Sequence, residues 1–418
     1  MKEYFFKDIF HLSIVRVFAF ANVPLQTYIF ATFLSVELIQ YFFILAGLFS
    51  ILVVFEGGAG TVLTYEYNRR LGNQKELTSL VEYFKRRFFK LTVYYIITAI
   101  AAFFVYNYIF SGMLNEYTYQ YIFCVLMMGL SFNLYPIICI SEGYGYVRQA
   151  LLVKSIAPIL SMLVFLIYVV AFKDIKAIYI IPTVTFFCYS IFILFKCKFL
   201  AVDYFSLRKT NNKHAISHNV SKANVSWAAG YVLTQGFPLL LPFVMSATEA
   251  AQLLLTSNLL IAFLSFTCIG ATIIGPRIPH MIENNNFSYK NFIIKNLIFI
   301  YAVLILCLFF FNDLLEIFYL IFDKEKFLNK ELLFLFCISC GYIPLYHFSV
   351  ILLKGMGIEP FVDTNVYVAI FTALLILICS LKSVNNFLYV YILFRLSLVT
   401  LIYITKMLKY YYAINNKT

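Results

Sequence analysis

Charge is what this chain has least of. Only 12% of its 418 residues are Asp, Glu, Lys or Arg, against about 25% in an ordinary soluble domain, which excludes a water-soluble globular fold. Recognition motifs are also missing. No P-loop, no HExxH and no Gly-rich dinucleotide fingerprint occurs, so the sequence carries no internal ATPase and no recognisable cofactor site. The nine cysteines lie in or at the ends of apolar stretches, which leaves no extracytoplasmic disulfide framework. Cys337-Ile-Ser-Cys340 has redox or metal spacing but no second pair and no nearby His cluster, so it reads as small apolar packing residues.

What is present is hydrophobic sequence, 62% of the chain, in runs near the 20 or so residues that cross a bilayer. Twelve spans are expected, at 9–33, 34–58, 91–111, 119–141, 151–172, 178–198, 224–246, 251–274, 293–312, 331–353, 364–382 and 387–408. Ala19-Phe20-Ala21 has the form of a signal-peptide cleavage site, but Arg16 interrupts the apolar core and the hydrophobic stretch continues from Val23 to Leu34, so a retained first helix is expected. Lys and Arg outside the spans divide 24 to 6 between the two sides if the amino terminus is inside. The positive-inside rule then places both termini in the cytoplasm. The same rule, together with anionic head groups, accounts for the net charge of +12 and for the basic segment from Arg69 to Lys90, and no nucleic-acid partner is needed.

A weak internal repeat divides these spans. Gly57-Gly58-Ala59-Gly60-Thr61 at the end of span two is echoed by Gly270-Ala271-Thr272 after span eight, and the Gly143-x-Gly145 turn by Gly355-x-Gly357, at offsets of 211 and 212 residues. The expectation is an all-α membrane protein of two parallel six-helix bundles around a central cavity, 1–195 and 224–418, joined by a polar cytoplasmic linker at 196–223. Pro24 in span one and Pro238 and Pro242 in span seven each remove a backbone hydrogen bond, so these helices are expected to bend or break and to act as gates.

Three ionisable residues fall well inside spans: Arg16, Glu56 and Arg395. Each costs roughly 2.5–3.5 kcal/mol at mid-helix if it faces lipid. Arg395, far from either end, is expected to face a cavity, and Arg16 with it; Glu56 is a candidate to pair with Arg16 or to carry a coupling proton. His347 reads as a hydrogen-bonded packing residue.

The segment Phe55-Glu56-Gly57-Gly58-Ala59-Gly60-Thr61-Val62-Leu63-Thr64, followed by Arg69-Arg70, resembles the helix-two ending of the polysaccharide transporter (Wzx-type O-antigen flippase) family of the multidrug/oligosaccharidyl-lipid/polysaccharide exporter superfamily. The Gly143 and Gly355 turns and the twelve-helix length fit as well. The resemblance implies a non-enzymatic flippase of the bacterial inner membrane that moves an undecaprenyl-pyrophosphate-linked oligosaccharide to the periplasmic leaflet, with Arg16 and Arg395 as its cationic cavity residues. It implies no cofactor, drive by protons or the membrane potential, and partnership with membrane lipids, a polysaccharide polymerase and a chain-length regulator. Glu56 departs from that family's pattern, in which many members are less acidic there. The alternatives are a drug/cation antiporter of the same superfamily, which calls for a cavity carboxylate, and a membrane-embedded glycan polymerase or acyltransferase. The short extracytoplasmic connections, the longest from about Asn312 to Lys330, weigh against the enzyme.

Overall fold

The computed structural model describes residues 21–70, 72–198, 200, 204, 217–267, 295, 298, 301–306, 308–355, 361–381 and 386–415. Among them the chain is all-helical, 88% helix with no strand. That is the outcome lipid imposes: with no water to satisfy backbone N–H and C=O groups, a spanning segment must bond to itself. The early helices are α1 (21–33), α2 (Val36–Phe49), α3 (Leu52–Glu56), α4 (Ala59–Arg69), α5 (Gln74–Ile109), α6 (Thr118–Tyr144), α7 (Val147–Phe172) and α8 (Ile180–Lys196). After them come α9 (Ser217–Leu233), α10 (Ala247–Thr267), α11 (Phe311–Ile321), α12 (Lys330–Ser339), α13 (Ile343–Gly355), α14 (Val362–Leu381), α15 (Phe387–Phe394) and α16 (Thr400–Asn415). Among the described residues nine helical stretches are long and apolar enough to cross a membrane. Of the twelve expected spans, the first, eighth and ninth lie partly outside the described residues, as does the last residue of the eleventh, and the seventh is interrupted.

By packing, the chain divides into two compact units, Tyr41–Leu239 forming the body of one and Val23–Gln40 with Leu240–Thr418 the other. This grouping differs from the expected 1–195 and 224–418 at α1 and the start of α2, which join the second unit, and at α9, which joins the first. In the first unit α6 packs against α4, α5, α7 and α8. Its aromatic core comes from one stripe of α5, where Leu77, Leu80, Val81, Phe84 and Phe88 recur at helical spacing and are all buried. Phe88 meets Phe132 of α6 with ring centroids 4.8 Å apart. The opposite face of α5 is exposed and apolar, with Phe89, Ile97 and Phe104 at half or more of their free area, as a lipid-facing surface requires.

Three local features differ from the expected spans. The basic segment before span three is no loop: α5 runs unbroken for 36 residues, about 54 Å, because Asn73 caps it and its first turns already carry the buried apolar stripe. Span seven is helical only to Leu233. There Gly236, Pro238 and Pro242 replace the helix by two 3-10 turns, Phe237–Leu239 and Leu241–Phe243, since proline lacks the N–H and its ring disfavours helical geometry in the residue before it. The Tyr231 hydroxyl, donating to Gly47 O at 2.9 Å, ties the end of α9 to α2 within the first unit. Span two is broken after Glu56, where Gly57 (φ 50°) and Gly58 (φ 74°) take left-handed conformations that residues with a Cβ rarely adopt.

Candidate functional site

The glycine run of helix two builds its own cap. Glu56, the last residue before the break, reaches forward across it so that its carboxylate accepts hydrogen bonds from the Gly58 and Gly60 N–H groups, both at 2.9 Å. An acid is thereby held at the positive end of α4, where the first N–H groups have no partner within the helix. A Cβ on Gly60 would lie 2.4 Å from Tyr135 Cε1 and 3.1 Å from Cys139 Sγ, and one on Gly143 would lie 2.9 Å from Thr64 O. These two glycines let the backbones of α4 and α6 approach closely, and the Thr64 hydroxyl bridges them by donating to Gly60 O and Cys139 O. Gly145 closes α6 with φ 117°.

Beside this contact is a polar cluster that the sequence reading missed. Lys154 belongs to α7, seven residues past its start at Val147, about 10 Å inside the helix. Only Gly145 and Tyr146 separate α6 from α7, so the connection expected between 141 and 151 is a two-residue turn. The Lys154 ammonium donates to Glu142 Oε2 at 2.5 Å, lies 3.8 Å from Cys139 Sγ and stands 5.2 Å from the centre of the Tyr135 ring. Glu142 and Lys154 are both about one-fifth exposed. The signal was there, a lysine in an apolar run and an acid twelve residues earlier across a glycine turn. Pairing them required knowing that the turn is tight.

In the second unit Arg395 opens a π-helical turn, Arg395–Val399, between α15 and α16. The wider turn leaves the Arg395 carbonyl to accept the Thr400 hydroxyl at 2.9 Å. The guanidinium donates from Nη1 to the Tyr391 hydroxyl at 3.1 Å, places Nη2 3.4 Å from Cys340 Sγ, and lies 5.4 Å from the centre of the Phe336 ring. No carboxylate pairs with it among the described residues, and its buried Nε–H has no acceptor. Arg395 and Tyr342 are each half-buried. Tyr342 stacks on Tyr403 with centroids 5.0 Å apart. Tyr403 donates to Asn365 Oδ1 at 2.7 Å, and Asn365 Nδ2 donates to the Tyr346 hydroxyl at 3.4 Å. Chemically this is a cation with a donor to spare inside an aromatic wall, suited to an anion with polar substituents.

Of the other expected site residues, Arg16 and Gly357 lie outside the described residues, so the proposed pairing of Arg16 with Glu56 does too. Pro24 is exposed within α1, Pro238 is buried in the first 3-10 turn with Pro242 in the second, and Gly355 is the last residue of α13. His347 is half-buried beside Tyr346, ring centroids 5.6 Å apart. Cys337 and Cys340 are both free thiols, and no group of metal-ligating side chains occurs among the described residues.

Fold and composition together define an all-helical, multi-pass membrane protein. Compared with known proteins, the chain matches no family model, no curated protein and no solved structure.

Proposed function

We propose that the protein is a flippase of the bacterial inner membrane that carries an undecaprenyl-pyrophosphate-linked oligosaccharide repeat unit from the cytoplasmic to the periplasmic leaflet. The architecture that goes with this reading is twelve membrane helices in two parallel bundles that open alternately to either side. The observation that carries it is Arg395, a guanidinium with no carboxylate partner among the described residues and an unsatisfied Nε–H, in the middle of a candidate membrane helix. A buried donor left without an acceptor costs about 1–3 kcal/mol, more when charged, and a diphosphate offers the acceptors and the opposite charge. The acids speak against cation antiport, the main rival. Both oxygens of Glu56 are occupied by backbone N–H groups and Glu142 is held by Lys154, so these two carboxylates are engaged.

The test is a deletion strain complemented with variants. Loss of the protein should accumulate lipid-linked single repeat units in the cytoplasmic leaflet, whereas loss of a polymerase would leave them on the periplasmic side. Arg395→Ala should abolish surface glycan while the protein remains inserted and expressed, and Arg395→Lys should restore part of it by keeping the charge without the planar fork. Normal export by Arg395→Ala would overturn the assignment.

A further inference from the structure

The connection from 312 to 330, expected from the sequence to be an extracytoplasmic loop, is largely a helix. α11 has 11 residues, about 16 Å, and is far too short to span. At about 100° per residue its side chains fall into three sectors. Leu315, Phe318 and the following Phe322 form a stripe packed on the second unit, where Phe318 stacks on Phe322 at 4.5 Å, Phe327 meets Phe318 at 4.9 Å, and Tyr28 meets Phe322 at 6.0 Å. Asn312, Asp313 and Glu316 occupy a polar sector and are exposed. Between these two sectors run Leu314, Ile317 and Ile321, which are apolar yet 46%, 55% and 55% exposed.

We infer that α11 is an interfacial helix: it lies in the boundary of the extracytoplasmic leaflet, its polar sector in water and its Leu314–Ile317–Ile321 face among lipid acyl chains. Three features identify the occupant as lipid. The exposed apolar face continues from that of the preceding span, where Ile305, Leu306 and Phe309 are 65%, 59% and 81% exposed, across the bend at Phe310. The helix is followed by exposed charges of both signs, Asp323, Lys324, Glu325, Lys330 and Glu331, as the water side of a leaflet surface requires. Finally, the helix is fixed along one side only, and its free surface is apolar along Leu314, Ile317 and Ile321 and polar along Asn312, Asp313 and Glu316, interrupted only by Leu320 at its carboxyl end, 86% exposed, as suits an in-plane helix.

Trp227 is the single tryptophan, so a Trp227→Phe background isolates one reporter. Leu314→Trp and Ile317→Trp, each in that background and reconstituted into phosphatidylcholine vesicles, should emit to the blue. Brominated acyl chains should quench them several-fold more strongly than they quench Glu316→Trp, which iodide should quench instead. If iodide reaches Leu314→Trp and Ile317→Trp as fully as Glu316→Trp, the face is in water and the proposal fails. It also fails if bromolipid quenching of both appears only on dilution into excess lipid, because a second copy of the chain then covers the face.

Discussion

At the scale of the residue, the glycines of the first unit separate into two kinds, and substitution should tell them apart. Gly60 is required by space: its missing Cβ would collide with Tyr135 and Cys139, so Gly60→Ala should overpack the α4–α6 contact by about 1–3 kcal/mol. Gly145 is required by conformation, φ 117° with nothing within 4 Å of a built Cβ, so Gly145→Ala should cost only the left-handed backbone penalty of about 1–2 kcal/mol. Thermal unfolding in detergent measures both, and removing the colliding ring is the discriminating experiment: Tyr135→Ala should rescue Gly60→Ala and leave Gly145→Ala unimproved. The Lys154–Glu142 pair makes a second residue-scale case. Removing one partner strands a charge inside the bundle, so Lys154→Met or Glu142→Leu alone should destabilise by somewhat less than the about 3–5 kcal/mol of a fully buried pair, given their residual exposure. The double variant should recover most of that loss in the same unfolding assay. Additive losses would mean that the two side chains are not coupled.

At the scale of the element, ends and breaks matter more than interiors. α5 begins with Asn73, whose Oδ1 accepts the Glu76 N–H while its Nδ2 donates to the Glu76 carboxylate at 2.8 Å. Asn73→Ala should therefore cost about 1 kcal/mol, read as a lowered midpoint of thermal unfolding with the spans intact. The carboxyl end of α1 is held in another way. Lys326, far along the chain, donates to Ala31 O at 2.6 Å and Leu34 O at 2.8 Å, placing a cation against carbonyls that the helix leaves unsatisfied. Lys326→Met should remove about 1.5–3 kcal/mol of charged hydrogen bonding and raise proteolytic cleavage after α1, detectable by limited digestion. The sequence singled out one element that breaks, since its prolines in span seven mark the site where α9 stops; Pro24, expected to act likewise, lies within the continuous α1, and the glycine run, read as the end of span two, is a break inside a longer helical stretch. The sequence did not reveal that Glu56 serves the break as a cap, because a carboxylate among glycines looks the same on paper whether it meets N–H groups, an arginine or water.

At the scale of the whole molecule, sidedness is the sharpest expectation. With 24 of the Lys and Arg residues on one side and 6 on the other, a fluorescent-protein fusion after Asn415 should be bright in the cytoplasm and an alkaline-phosphatase fusion at Asp174 should be active. The reverse pattern would invert the topology. Membrane class, the places of most spans and this charge asymmetry follow from the sequence alone, because the transfer free energy of a 20-residue segment and the count of flanking lysines depend hardly at all on what packs beside them. What only the tertiary structure decided is which polar groups inside those spans have partners. Lys154 reaches Glu142 through a two-residue turn, Arg395 meets a sulfur 55 positions away and no acid among the described residues, and α11 turns one apolar stripe to protein and another outward. Each of these depends on the rotation of a helix about its axis and on its neighbours. Hydropathy averages over that rotation, and only packing fixes it.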